Sequence, residues 1–183
     1  MLFLRFSFLL VAPFMVSCAS NSESGDISDI SANTRNATAL LRAADGSARG
    51  TVQATEGPEG VRLVINGENL AAGAHGAHVH MTGTCNPPDF ASAGAHWNPA
   101  GKQHGRNNPQ GMHMGDLPNL LIGTDGRGSL EISISGARLT GGDGAMIDAD
   151  GAALVIHASA DDMITDPSGN SGGRIACGVF ALS

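Results

Sequence analysis

Short runs of alternating or continuous apolar residues recur along the chain after residue 36 and are separated by turn signals. Alternation with a period of two indicates β-strands, and the Asp-Gly, Asn-Gly and Gly-Pro pairs between the runs indicate tight turns. The pattern predicts no helix and eight strands, at residues 38–43, 50–55, 61–65, 77–81, 117–122, 130–134, 154–158 and 175–182. Eight antiparallel strands favour a closed or nearly closed barrel, or a sandwich.

Two of the predicted connections are unusually long, at residues 82–116 and 159–174. Long irregular loops are uncommon in a small domain and usually carry function. The first of them also contains most of the polar residues that could bind a metal or take part in a reaction. We therefore expect the functional site to lie where these two loops meet the strands.

The first 17 residues are predicted to be a secretory signal, because Arg5 precedes an uncharged apolar run at residues 6–16. That run is too short to span a membrane, and a buried N-terminal helix is the alternative. Residues 18–36 are rich in Ser, Asn, Asp and Thr without apolar periodicity, which predicts a flexible tether. The remaining residues, 37–183, are expected to form one domain.

The residues Met15-Val16-Ser17-Cys18 resemble a bacterial lipobox, although leucine is preferred where Met15 stands. This resemblance predicts that Cys18 is cleaved free and acylated, which would hold the protein on a membrane surface without spanning it. Ordinary cleavage after Ala19 is the alternative. In either case we expect the protein to act outside the cytoplasm, either anchored in the cell envelope or secreted to the periplasm.

The chain has three cysteines and a formal net charge of −7. If Cys18 carries lipid, Cys85 and Cys177 remain for one disulfide, and two free thiols are the alternative. The charge becomes one unit more negative when Arg5 leaves with the signal. An acidic chain without a basic run argues against a nucleic-acid partner.

The strongest candidates for chemistry are the histidines, of which the chain has seven: His75, His78, His80, His96, His104, His113 and His157. His78 and His80 are two residues apart on a predicted strand, so both project from one face and can reach one ion. His157 ends another strand, and three more histidines lie in the first long loop, shortly before Asp116. Singly, each is explained as a surface or core residue, but together they predict a metal site.

Three imidazoles with one carboxylate suit structural zinc, whereas three or four imidazoles with an open position suit copper. Spacing alone does not say which metal sits where.

From residue 37 to 183 the chain resembles the bacterial copper/zinc superoxide dismutases, in blocks at residues 75–80, 93–99, 104–105, 113–117, 155–157 and 173–178. The resemblance implies a Greek-key barrel of eight antiparallel strands. It implies copper bound by His78, His80, His96 and His157. It implies zinc bound by His96, His104, His113 and Asp116, so that His96 bridges the two metals as an imidazolate.

The resemblance also assigns roles around the metals. Asp161 and His75 would hold metal ligands in place without binding metal, and Cys85 and Cys177 would form the disulfide. Arg174 would attract and hold the anion beside copper. The implied reaction converts two superoxide anions and two protons into oxygen and hydrogen peroxide, with copper alternating between two oxidation states and His96 carrying a proton.

Residues 158–173 depart from the family, because they contain Asp161, Asp162 and Asp166 but no lysine or arginine. Attraction of superoxide must then come from the metals, Arg174, and Lys102 or Arg106 in the other loop. The family leaves monomer and homodimer both open. A non-catalytic extracytoplasmic copper/zinc-binding protein on the same scaffold is the main alternative function, and a purely structural lipoprotein is a third.

Overall fold

The computed structural model describes residues 34–142 and 144–183. Within them, every regular element is a strand except one 3₁₀ turn at Ala91–Ala93. The ten strands are β1 Asn36–Arg42, β2 Ala48–Gly57, β3 Gly60–Gly67, β4 Gly73–His75, β5 Ala77–His80, β6 Leu120–Ile122, β7 Gly128–Ser135, β8 Ala153–His157, β9 Arg174–Val179 and β10 Ala181–Leu182. The predicted all-β class is confirmed. The predicted signal, the lipidation site Cys18 and most of the tether lie outside the described residues.

Most strands belong to one antiparallel sheet with the order β5-β8-β9-β1-β2-β3-β7, in which β10 also pairs with β1. β4 and β6 form a separate pair. Strand β7 lies beside β3, and β9 lies between β1 and β8, so the connections follow the predicted Greek-key pattern. The pair β4–β6 lies close to β7 at Gly128. A Cβ added at this glycine would collide with the carbonyl oxygen of Leu121.

Most strand ends differ from the prediction by one or two residues, and three differences have a visible cause. The predicted strand at 175–182 is divided at Phe180, whose buried backbone N–H donates to the Ala152 carbonyl at 3.0 Å. β6 begins at Leu120, three residues later than predicted, and Pro118 has no N–H for a ladder. β1 begins inside the predicted tether, where the Arg35 carbonyl accepts a hydrogen bond from the backbone of β2 at 2.8 Å.

Strand β4 was not predicted at all. It has three residues, Gly73-Ala74-His75, which pair with Ile122, Leu121 and Leu120 of β6. Its sequence is short and lacks apolar alternation, so the pairing partner rather than the local pattern makes it a strand.

The core lies on the inward face of the sheet. On β1, β2 and β3 every second residue is buried: Ala37, Ala39, Leu41, Val52, Ala54, Val61, Leu63 and Ile65. Burial of each leucine or isoleucine contributes about 1.5–3 kcal/mol to folding. Exposed residues alternate with them, so the period-two pattern correctly predicts these three strands.

Strands β5 and β8 differ because they are buried on both faces. Their apolar side chains pack into the core, and the two long loops cover the other face. A disulfide between Cys85 and Cys177 ties the first loop to β9 across 92 residues, which corresponds to roughly 4–5 kcal/mol in the chain-entropy model. None of the helical structure described is long and apolar enough to cross a membrane.

Candidate metal centre

The site lies on the covered face of β5, where His78 and His80 project from alternate positions of the strand. One edge of β5 pairs with β8, which brings His157 to the same face. Its other edge is occupied by the first long loop: the Trp97 N–H donates to the Val79 carbonyl at 2.8 Å, and the Val79 N–H donates to the Gly115 carbonyl at 2.9 Å. This pairing sets His96 and Asp116 beside the strand histidines.

The loop can approach β5 this closely only because residue 115 has no side chain. A Cβ at Gly115 would collide with the Val79 carbonyl oxygen and crowd the backbone of Trp97. The glycine therefore fixes the distance between the loop and the strand.

Two groups of four side chains meet here. The four-histidine quartet contains His78, His80, His96 and His157, and the mixed quartet contains His96, His104, His113 and Asp116. Within each quartet the candidate ligand atoms lie within 4.8 Å of one another. His96 belongs to both, so the two quartets share one ring.

In the four-histidine quartet each ring leaves one buried nitrogen without a hydrogen-bond partner: His78 Nδ1, His80 Nε2, His96 Nε2 and His157 Nε2. The second nitrogen of each strand histidine is held. His80 Nδ1 donates to the Gly94 carbonyl at 2.9 Å, and His157 Nδ1 donates to the Gly172 carbonyl at 3.1 Å. The carbonyls fix the tautomer and leave a lone pair on the free nitrogen, which suits an imidazole-binding metal.

The mixed quartet is organised around one oxygen. Asp116 Oδ1 lies 2.8 Å from His96 Nδ1, 3.0 Å from His104 Nδ1 and 3.1 Å from His113 Nδ1. Bonds of about 2.0–2.1 Å to a tetrahedral zinc would place its ligands about 3.3 Å apart. Three nitrogens and one carboxylate at these spacings therefore fit zinc.

The other oxygen of Asp116 has a structural role. Oδ2 accepts hydrogen bonds from the backbone N–H of Gly105 at 2.9 Å and of His113 at 3.0 Å. Both donors belong to the loop that carries the mixed quartet. The carboxylate is thus fixed in place with one oxygen facing the quartet.

Burial sets the protonation of the strand histidines. It lowers the pKa of His78 to about 3 and that of His157 to about 4, and it also lowers the pKa of His80. Neutral rings are the form that binds metal, so these three are ready to ligate at neutral pH.

His104 behaves differently. Burial opposes its charge, but its contacts with Asp116 and Asp161 outweigh burial and raise the pKa of its ring to about 9. The same histidine contacts hold the pKa of both carboxyl groups below the usual range, against the effect of burial. Without metal, a proton on His104 thus substitutes for the positive charge that the mixed quartet requires.

Asp161 contacts one histidine of each quartet through its two carboxylate oxygens. Its Oδ2 lies 2.8 Å from His78 Nε2, and its Oδ1 lies 3.0 Å from His104 Nε2. The backbone of Asp161 makes reciprocal hydrogen bonds with the side-chain amide of Asn119, at 2.8 and 2.9 Å. A Cβ at Gly169, whose φ is +64°, would collide with this carboxylate, so the loop is closed tightly over it.

His75 contacts the site without facing it. Its Nδ1 lies 2.7 Å from the His157 carbonyl and its Nε2 lies 2.9 Å from the Ala71 carbonyl. It therefore joins the backbone of β8 to the turn before β4, and it is in neither quartet.

A cavity of about 970 Å³ opens onto the four-histidine quartet, and we call it the large cavity. Among its lining residues are His80, His96, His157 and Arg174. The Arg174 guanidinium donates to the Phe90 carbonyl at 2.7 Å and to the Gly94 carbonyl at 2.8 Å. Gly94 also holds His80, so one carbonyl positions both the ring and the guanidinium.

The structure separates the two other candidate cations. Lys102 lines the large cavity with Arg174, whereas Arg106 lines a different opening of about 260 Å³, which we call the small cleft. The acids of the second loop are also separated. Asp161 is buried behind the histidines, and Asp162 accepts four hydrogen bonds within its own loop.

Asp166 does line the large cavity, and its Oδ1 accepts a hydrogen bond from the His104 backbone at 2.6 Å. Asp148 lines the cavity as well, and the sequence analysis missed it. It also missed Asn119 and the carbonyls of Gly94 and Gly172. Carbonyl groups have no side-chain signal, and neither Asn119 nor Asp148 stands in a recognisable pattern.

Most of the chain matches a known protein family and is similar to named relatives. Residues 48–180 match the family described as copper/zinc superoxide dismutase (SODC). A protein of Caulobacter vibrioides named superoxide dismutase [Cu-Zn] is 45% identical over 150 residues, which cover 79% of this chain and 84% of the relative. A protein of Bacillus subtilis named superoxide dismutase-like protein YojM is 44% identical over 139 residues, which cover 74% of this chain and 71% of the relative.

Solved structures agree. The crystal structure of a SOD-like protein from Bacillus subtilis superposes with a TM-score of 0.74 at 41% identity, covering 78% of this chain and 96% of that one. A double mutant of that protein, in which two residues are replaced by histidine, has the same TM-score of 0.74 at 43% identity, covering 78% of this chain and 95% of that one.

Proposed function

The chain belongs to the copper/zinc superoxide dismutase family, and from this premise we propose how its own residues carry out the reaction. The enzyme class and the two metals, copper and zinc, follow from the family and from relatives named as such enzymes. We assign copper to His78, His80, His96 and His157. We assign zinc to the mixed quartet, in which case His96 would be a ligand of both ions.

The observation that carries the copper assignment is the set of four buried, unpartnered ring nitrogens that face one another. Burying a polar atom without a partner costs about 1–3 kcal/mol, and four such atoms in one place are explained by a metal that all of them bind. When bound, copper supplies one-electron chemistry, by which one superoxide is oxidised to oxygen and a second is reduced to hydrogen peroxide.

The chain contributes binding and proton transfer. Arg174 presents a fixed positive charge in the large cavity beside His80 and His157, where a small anion is attracted and oriented. His96 is suited to carry the proton, because it lines the large cavity and its Nε2 has no hydrogen-bond partner, while its Nδ1 is held by Asp116 in the mixed quartet. When Nε2 does not bind copper it would hold a proton and pass it to the departing peroxide, and water would supply the second proton of hydrogen peroxide.

Lys102 supplies the second positive charge of the large cavity. Its backbone is positioned by Asn98, whose side-chain amide accepts from the Lys102 N–H at 3.0 Å and donates to its carbonyl at 2.8 Å. Asp148 and Asp166 line the same cavity, and their negative charges oppose the attraction of an anion by Lys102. We therefore expect modest long-range attraction of superoxide, with Lys102 rather than Arg106 as its source.

The test is superoxide dismutation by the purified protein loaded with copper and zinc, with His157→Ala and His113→Ala as paired variants. His157 belongs only to the copper set, so its loss should nearly abolish activity and copper binding. His113 belongs only to the zinc set, so its loss should reduce zinc content while copper and part of the activity remain. Equal loss of both metals in both variants would refute the assignment.

A non-catalytic metal-binding role is the second candidate, because one relative carries the name superoxide dismutase-like. Against it stands the full set of ligands with Arg174 in the large cavity. Protein that binds one copper and one zinc per chain yet fails to dismute superoxide would establish this alternative.

We further propose that the protein acts in the periplasm or cell envelope, held by lipid on Cys18. The Cys85–Cys177 disulfide supports export, since disulfides persist in oxidising compartments. The lipid assignment rests on the sequence at residues 15–18 alone. Metabolic labelling with a fatty acid tests it: wild type should incorporate label and Cys18→Ser should not.

A further inference from the structure

The mixed quartet borders two openings. His113 lines both the large cavity and the small cleft, whereas Asp116 lines only the small cleft. The small cleft runs between the loop segment that carries these ligands and strand β7, and its lining includes Met112, Met114, Ile132 and Ile134. Its volume of about 260 Å³ exceeds the space of several water molecules, at about 30 Å³ each.

The four side chains of the mixed quartet are not held equally. His104 is fully buried and its second nitrogen contacts Asp161. Asp116 is fixed by two backbone N–H groups. His96 also lacks a hydrogen-bond partner at Nε2, but it belongs to both quartets, so bound copper would hold that nitrogen.

His113 is the exception. Its side chain is 9% exposed, against 4% or less for the other three. In the part of the chain that the structure describes, its Nε2 has no hydrogen-bond partner. A ligand ring without a second hydrogen bond is the least constrained in orientation, so His113 is the ligand that leaves first.

We infer that the small cleft is a dedicated exchange route for zinc, through which a competing ligand reaches the metal as His113 turns aside, separately from the cavity that admits superoxide. This inference rests on the proposed zinc assignment. Arg106 lines the cleft, and bound zinc would offset the negative charge of Asp116, which lines it too. With zinc in place the cleft would therefore favour anionic zinc-binding molecules over neutral ones.

Two exposed methionines allow a matched test. Met112 precedes His113 and lines the small cleft, at 38% exposure; Met81 follows His80 and lines the large cavity, at 48% exposure. Neither is a proposed metal ligand. Met→Ala opens a wall by the space of at least two water molecules, at about 30 Å³ each, and Met→Phe replaces a flexible side chain with a bulky ring.

Zinc release from the fully loaded protein would be followed with an anionic coloured chelator. Met112→Ala should accelerate release severalfold and Met112→Phe should slow it, whereas both Met81 variants should match wild type. The rate should rise in proportion to chelator concentration, because the chelator attacks through the cleft. A rate that is independent of chelator concentration and of residue 112 would overturn the inference, since zinc would then leave by opening of the whole loop.

Charge provides a second measurement that leaves the packing intact. With Arg106→Gln, release to the anionic chelator should fall about threefold at low salt, while release to a neutral chelator and release from Lys102→Gln should not change. An equal response to Lys102→Gln would assign the route to the large cavity instead.

Zinc content and dismutation of the loaded wild type are measured first. Failure of zinc to bind the mixed quartet would reject the proposed function itself. Normal zinc content and activity, with release insensitive to Met112 and Arg106, would reject only the exchange route.

Discussion

Substitution of Asp161 by asparagine tests how the two quartets are held together. The carboxylate accepts from His78 at one oxygen and from His104 at the other, at 2.8 and 3.0 Å. An amide has one acceptor oxygen, so Asp161→Asn can keep only one contact and must turn an NH₂ group toward the other ring. One buried ring N–H then loses its partner, whichever way the amide is oriented.

The two histidines do not depend on Asp161 to the same degree. His78 lies in β5, whose backbone is paired on both edges, and its ring packs 4.1 Å from that of His96. His104 lies in the long loop, so its ring orientation depends mainly on the carboxylates. Loss of such an outer contact typically lowers metal affinity about 10–100-fold, or about 1.4–2.7 kcal/mol. We expect zinc to lose this much and copper to lose less than about tenfold.

The assay is competitive titration of each metal against chelators of known affinity, with metal content measured after equilibration. Asp162→Asn is the control, because Asp162 is the adjacent residue and, within the described ranges 34–142 and 144–183, its carboxylate accepts hydrogen bonds only from its own loop. It should leave both affinities unchanged. Zinc affinity that is unaltered in Asp161→Asn, or a fall in copper affinity as large as that for zinc, would refute this reasoning.

Three further predictions follow from the same geometry. Gly169→Ala should lower zinc affinity and thermal stability together, because φ is +64° there and a Cβ would collide with the Asp161 carboxylate; unchanged zinc titration and melting curves would contradict it. Lys102→Gln should slow dismutation about threefold at low ionic strength and have no effect at high salt, whereas Arg106→Gln should not; pulse radiolysis at several salt concentrations measures both. Zinc binding to the metal-free protein at pH 7.5 should release about one proton from His104, whose pKa is raised to about 9, and release should vanish above that pH; calorimetry in buffers of different ionisation enthalpy reports the proton count.

Local pattern was sufficient for the parts of the fold that are half-buried. Alternation predicts β1, β2 and β3 because one face of each meets the core and the other meets solvent. The pair His78 and His80 follows from the same period, since both stand on one face of β5. Strand β4 could not be predicted in this way, because it is defined by pairing with β6 and has no alternating pattern of its own.

The sequence predicted that the loop histidines belong to a metal site, but only resemblance to a family indicated which metal each of them would bind. No periodicity places His96, His104 or His113 in space, and their position depends on hydrogen bonds between loop and strand that the sequence does not encode locally. Backbone acceptors such as the Gly94 carbonyl, which holds both His80 and Arg174, carry no side-chain signal. The separation of Lys102 from Arg106 likewise required the three-dimensional path of the loop.

The distribution of ligands between strand and loop suggests why the two metals have different tasks. Three of the four proposed copper ligands, His78, His80 and His157, stand on β5 and β8, so the sheet preorganises them before any metal binds. The mixed quartet is carried by the loop, where the ring of His104 is protonated without metal. Asp116 holds this loop together by accepting a hydrogen bond from the backbone of Gly105. We therefore expect bound zinc to stabilise the loop, and His96 and Asp161 connect that loop to the copper set. If zinc exchanges through the small cleft, as we propose, it can be replaced without crossing the large cavity that admits superoxide.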